Sequence, residues 1–249
     1  MYFDTLWHMI IYCIRQTMKK INSSRCIIFF VKAPVFGAVK TRLAMDCGAM
    51  AALDLYKAFV SDILDLISSV DASLRIFYHP EKHGSLVKDW IGGRGRLYAQ
   101  KGSDLGERMH DAFIRMSAEG FEQMLLIGSD IPEIDKPIIS GAFSMLKVSP
   151  AVIGPAGDGG YYLIGFRSNT LFPEAFSGID WGTAMVMEKT LERFAQNRMD
   201  PAIVPMVRDI DTGADLLDLG GRLSNGSAGG PELGNTRAVM ARMRISSKS

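Results

Sequence analysis

Paired cysteines are missing from this chain. Cys13, Cys26 and Cys47 are odd in number and lack ligand spacing, which excludes a disulfide framework and a structural zinc site and makes a reducing, cytoplasmic setting the simplest expectation. Charge of one sign is missing too: 28 Lys+Arg against 27 Asp+Glu leave a formal net charge of +1, no field for gathering nucleic acid, although a small, locally charged ligand stays open. There is also no long hydrophobic run. The apolar stretch from Met9 to Ile14 is far too short to span a bilayer, and basic residues follow it, whereas in a signal peptide they precede the apolar run. Residues 1–24 are therefore expected to be an N-terminal extension, with Met18 an alternative start.

What the chain does have is alternation. Short apolar runs at 25–32, 73–79, 122–129, 150–156, 161–166 and 201–207 read as strands, several of them apolar on both faces. Between them, Leu53, Tyr56, Val60, Ile63, Leu64 and Ile67 share one helical face, as do Leu105, Met109, Ala112, Phe113 and Met116, and later Ala184, Met187, Leu191 and Phe194. Strand and helix alternating through 249 residues predict one α/β domain with a mostly parallel sheet and helices on both faces. After Leu219 the composition turns to Gly and Ser, so 25–220 is the expected domain and 221–249 a flexible tail.

In open α/β sheets ligands sit where the strands end, so the loops leaving the strands carry the argument. The first, "VKAPVFGAVKTRL" (31–43), places Lys32, Pro34 and Gly37 ahead of Lys40 and Arg42. Glycine and cations together suit phosphate, although a solvated basic loop has the same composition. It is not a Walker A loop, since Val39 stands where a glycine would precede Lys40. In "KGSDLGERM" (101–109), Asp104 and Glu107 have the spacing of a capping box, while Gly106 and Arg108 would let a ligand approach the helix N-terminus. In "LLIGSDIP" (125–132), Ser129 and Asp130 leave a central strand as either a helix cap or a cation site. Asp209 and Asp211 form an i, i+2 pair that shares one side of an extended chain, suited to a hard divalent ion or to capping a helix near Thr212. Last, "GPAGDGGYYLIGF" (154–166) sets Gly157, Gly159 and Gly160 around Asp158. Either this is a tight turn in which Asp158 bonds its own backbone, or the glycines admit a ligand to which Asp158 is presented as acceptor or general base. Trp181 is a wall for a sugar or acceptor, or a lid on the core over a helix starting near Thr183.

Taken in order, "KAPVFGAVKTRL", "DLGERM", "IGSDIP", "GPAGDGGYYLIGF", "DWGTAMV" and "DIDTGADL" resemble the DUF2064 group of nucleotide-diphospho-sugar transferase-like proteins, over about four-fifths of the chain. The resemblance implies the GT-A fold, a three-layer α/β/α sandwich. It also implies a nucleotide held by Lys32, Ala33, Pro34, Gly37, Lys40, Arg42, Gly106 and Ser129, and Mg²⁺ or Mn²⁺ held by Asp130 with Asp209 or Asp211. Gly159, Gly160, Tyr161, Trp181 and Thr183 would meet the substrate, with Asp158 and Lys40 catalytic. Two departures stand out, Phe36 where relatives commonly have proline and Gly157 where they have a second acid. The expected activity is metal-dependent glycosyl transfer from a nucleotide-diphosphate sugar to a small-molecule acceptor. The alternatives are nucleotidyl transfer from a nucleoside triphosphate to a phosphorylated acceptor, and nucleotide binding without turnover. Neither nucleic acid nor a membrane is an expected partner, and a homodimer is left open.

Overall fold

β1 (Arg25–Lys32) runs through the middle of the molecule because nothing in its interior is polar, and the computed structural model, which describes residues 24–224 and 232–246, buries Cys26 to Val31 on both faces. Ile27, Phe29 and Val31 join one core cluster, while Cys26, Ile28 and Phe30 join another across the sheet. The expected extension at 1–24, the Met18 start and Cys13 lie, Ser24 apart, outside the described residues.

The described strands β2 (Ser73–His79), β3 (Arg96–Ala99), β4 (Gln123–Ile127), β5 (Ala151–Pro155), β6 (Tyr161–Arg167) and β7 (Ala202–Ile203) join β1 in the order β3-β2-β1-β4-β6-β5-β7. Only β6 runs antiparallel to its neighbours, so the mostly parallel sheet is as expected. Both edges are short. The strand expected over 201–207 shrinks to two residues because Pro201 and Pro205 bracket it and bring no N–H, and Val207 makes a separate bridge to Ala156. β3 has no apolar periodicity to announce it and escapes a reading by pattern.

The helices are α1 (Thr41–Cys47), α2 (Ala49–Ser68), α3 (Gly84–Ile91), α4 (Leu105–Ala118), α5 (Lys136–Met145), α6 (Val186–Gln196), α7 (Gly213–Ser224) and α8 (Gly234–Ser246). The stripe of Leu53, Tyr56, Val60, Ile63, Leu64 and Ile67 on α2 packs on the sheet, and Met109, Phe113 and Met116 of α4 pack on the opposite face. α2 has a second stripe. Leu55, Ala58 and Phe59 face away from the sheet and pack with Ile210, Leu219, Leu233 and Val239, so a further helical layer covers α2.

That layer corrects the expected domain end at 220 and the flexible tail from 221. α7 continues to Ser224, and α8 lies against α2, where the buried Asp62 carboxylate accepts from the Asn235 and Thr236 backbone N–H groups, Asn235 Nδ2 and Thr236 Oγ1 at 2.6–2.9 Å. One buried carboxylate satisfies the open start of a helix in which Val239 is buried and Met240 and Met243 are partly buried. Asp62→Ala is expected to lose about 2–4 kcal/mol in urea unfolding and to open the 232–246 segment to limited proteolysis. Unchanged stability would mean that apolar packing alone holds α8.

Candidate active site

The carboxyl ends of β1, β2 and β4, the 156–160 turn and residues 181–186 surround a cavity of about 340 Å³. Tyr56 of α2 fixes one side, its hydroxyl accepting from Lys32 N at 2.8 Å and donating to Lys32 O at 2.9 Å. Burial pushes the Tyr56 phenol far above its ordinary pKa, so this clasp stays protonated. Ala33 N donates to His79 O at 2.8 Å, joining the first loop to the end of β2.

Of the expected residues, Lys32, Ser129, Asp130, Asp158, Gly160, Tyr161, Trp181, Thr183, Asp209 and Asp211 line this one cavity, although their sequence separation spans most of the chain. Ala33 and Pro34 are buried, Gly37 is on an exposed turn and Arg42 is exposed; none of these four lines it. The field of Arg42 instead helps hold Asp215 below the usual carboxylate range.

Lys40 is the main surprise. Its side chain is 3% exposed and lies behind the cavity wall, with Nζ 2.5 Å from Asp130 Oδ1 and 2.8 Å from Asp211 Oδ1. Burial disfavours the ammonium, but the two carboxylates outweigh it and hold the pKa above the ordinary lysine value. The backbone of Lys40 is left-handed, φ 47° and ψ 46°, which costs a non-glycine residue about 1 kcal/mol or more. Local bonds leave these acids available. No helix starts at Asp130; Asp135 caps α5 instead, accepting from Ile138 N at 2.8 Å. Ile210 N donates to Asp130 O at 3.0 Å, which brings the 209–211 loop alongside. Thr212 and Asp215 cap α7 between them, Asp215 Oδ2 accepting from Asp211 N, Thr212 N and Thr212 Oγ1.

Burial first, and then the fields of Asp158, Asp211 and Asp215, raise the pKa of Asp209. Hard oxygen donors sharing one cation suit Mg²⁺ or Mn²⁺ in kind, and the Lys40 ammonium stands in for such an ion between Asp130 and Asp211. Among the described residues no three His, Cys, Asp or Glu side chains close on a single point.

Around Asp158 the tight turn is realised, and the residue also stands at the cavity. Its Oδ1 accepts from Gly160 N at 2.9 Å, as in a tight turn, yet the residue is exposed and lines the cavity. Gly159 is required by packing: at φ 87°, a Cβ there would lie 2.2 Å from Ala184 O. A Cβ at Gly157 would lie 3.5 Å from Asp209 Oδ1, so an acid at that position would point at more negative charge. Gly106 does not line the cavity either. Its open face is filled by Trp181, and a Cβ would come within 2.7 Å of the indole and 2.6 Å of Phe176 O. Trp181 thus closes the core over Gly106 and also forms cavity wall, edge-on to Tyr161 at 6.4 Å between ring centroids. The helix after it begins at Val186, since Thr183 Oγ1 donates to Asp180 O in a turn of its own. Asp104 caps the helix as its spacing with Glu107 implies, Asp104 Oδ1 accepting from Glu107 N, while Glu107 Oε2 accepts from Ser103 N, one residue before the N-cap.

Sequence reasoning missed His79 and Gln100, at the ends of β2 and β3. The only available signal for His79 was its place at a strand end, and β3 had not been foreseen. Burial, Arg108 and Lys32 all lower the His79 pKa, so the cavity lining includes two cations around His79 as well as the acids.

Residues 63–183 match the family described as an uncharacterized protein conserved in bacteria, DUF2064. A structure from Desulfovibrio desulfuricans G20, provisionally described as a nucleotide-diphospho-sugar transferase, is 38% identical with a TM-score of 0.82, over 90% of this chain and 98% of that one. The chain belongs to this family, and its fold is that of the nucleotide-diphospho-sugar transferases and cytidylyltransferases. A cytidylyltransferase from Leptospira borgpetersenii (14% identity, TM-score 0.53, 91% and 96% of the two chains) and the inositol-1-phosphate CTP transferase of T. maritima (13%, 0.52, 83% and 98%) share the fold alone. No curated protein matches the chain.

Two outcomes are expected. An anion docking beside His79 raises its depressed pKa, so binding of inorganic pyrophosphate takes up a proton and strengthens as pH falls toward the histidine range; calorimetry in buffers of different ionisation heat reads this, and His79→Gln abolishes it. Gly106→Ala displaces the indole, lowering stability by about 1–3 kcal/mol and shifting Trp181 fluorescence.

Proposed function

We propose that the protein transfers a glycosyl group from a nucleotide-diphosphate sugar to a small acceptor. Its class, nucleotide-sugar transferase or nucleotidyltransferase, follows from family and fold. The observation that carries the finer reading is the mixed lining of this cavity, in which Asp130, Asp209 and Asp211 are neighbours while Met109, Tyr161, Trp181 and Val186 supply apolar lining. A diphosphate and its counter-cation suit the charged lining, and the face of a sugar or acceptor suits the aromatic side chains. Mg²⁺ or Mn²⁺ held by Asp130 and Asp211, with Asp209 beside them, would neutralise charge on the leaving diphosphate. Asp158, with one oxygen tied to Gly160 N and the other facing solvent-accessible space, orients or deprotonates the acceptor hydroxyl. Lys32, at the end of β1, contributes a point charge for phosphate.

Nucleotidyl transfer is the second reading, favoured by one observation: Lys32 and Arg108 both line the cavity beside His79, two cations away from Lys40 that a triphosphate would use. The released products discriminate. A nucleoside diphosphate from a nucleotide sugar supports the first reading, pyrophosphate from a triphosphate the second, and binding without consumption of either donor refutes both. Asp158→Asn is expected to lower kcat by about 10²–10⁴-fold with donor affinity nearly unchanged, measured by released nucleotide and calorimetry. Normal turnover with reduced thermal stability would make Asp158 a turn residue only.

A further inference from the structure

We infer that Lys40 is an internal counter-cation that keeps divalent ions out of the ligand-free site, so that metal enters only once a phosphate-bearing ligand gives the ammonium another partner. This rests on reading Asp130 and Asp211 as the metal acids. Three features of the chain carry it. The ammonium bridges the two carboxylates at 2.5 and 2.8 Å, the position a bridging ion would need. A divalent ion approaching these acids would meet the positive charge of the ammonium, which would cancel much of the attraction the acids offer. Next, the ammonium is enclosed: its side chain is 3% exposed while Asp130 and Asp211 are 49% and 32% exposed, and it lies 5.9 Å from the Phe59 ring centroid. Metal in solution therefore reaches the acids but not the lysine behind them. Third, the four-carbon stem of Lys40 allows the ammonium to change oxygen partner while the backbone keeps its left-handed conformation.

An arriving phosphate changes the balance. It brings negative charge to the cavity side, Lys40 exchanges carboxylate for phosphate oxygen, and the freed acids then accept the ion that accompanies the phosphate. No bond is made or broken in this exchange. Lys40 acts as a positioning residue that sets the order of binding, metal with or after the anion.

The test is Mn²⁺ binding by electron paramagnetic resonance, in which bound Mn²⁺ loses the free-ion signal. Wild-type protein with Mn²⁺ alone is expected to bind weakly, and Lys40→Met about tenfold more tightly or better, because two carboxylates then face the cavity without a partner. Lys40→Arg should behave as wild type, and Lys40→Met combined with Asp130→Asn should bind weakly again. Adding pyrophosphate to wild type should bring Mn²⁺ binding beyond that of pyrophosphate alone, and Asp130→Asn should lose it. If wild type already binds Mn²⁺ as tightly as Lys40→Met, Lys40 excludes nothing and the inference fails, while the metal reading stands provided Asp130→Asn removes that binding. Should Lys40→Met gain no affinity although wild type binds with pyrophosphate, the order comes from the anion and the inference again fails. Mn²⁺ binding absent from every protein and condition overturns both. Circular dichroism checks each fold, and Lys40→Gln replaces the Met variant if that one does not fold.

Discussion

The rest of the structure depends on α2 being buried from two sides. A helix on the outside of an α/β sheet normally needs one apolar stripe; α2 has two, one against the sheet and one beneath α1, α7 and α8. Because the helix is clamped, side chains one turn apart along it can each hold a different part of the molecule. Tyr56 grips both backbone groups of Lys32, Phe59 lies near the Lys40 ammonium, and Asp62 caps α8. The first loop is thereby aligned to a rigid element rather than to its own short turns.

The electrostatics follow from that alignment. Four acids, Asp130, Asp158, Asp209 and Asp211, arrive from three separate loops, and the one ammonium buried among them is fixed to two. Burial raises the pKa of Asp209, and the fields of Asp158, Asp211 and Asp215 add to it.

Much of this was legible in the chain. The apolar runs of β1, β2 and β6 and the first stripe of α2 follow periods that only a covered sheet explains, and the acids at strand ends fall together because parallel strands all end on one edge. The helix cap at Asp104 was visible from spacing alone. What stayed hidden was whatever depends on a distant partner. Leu55 and Phe59 look like incidental apolar residues until Leu233 and Val239 arrive from residues that read as tail. Gly106 and Gly159 looked like openings for a ligand, yet the space beside them is taken by Trp181 and Ala184, and a sequence does not distinguish a vacancy for ligand from a vacancy for protein. Lys40 looked like a free cation because its partners are 90 and more positions away.

The two short edge strands bear on how copies of this protein can associate. β3 is four residues long and follows Arg94 and Gly95, with exposed Arg96 as its first residue; β7 has two residues between Pro201 and Pro205. Neither offers a run of unpaired backbone long enough to recruit a strand from a neighbour, and the prolines and arginines penalise the attempt. Self-association through a continuous intermolecular sheet is therefore closed to the described part of the chain, and any symmetric pair has to be built from helix faces and loops. The strand ends that carry the cavity are spared in consequence, since they do not have to share their backbone with another subunit.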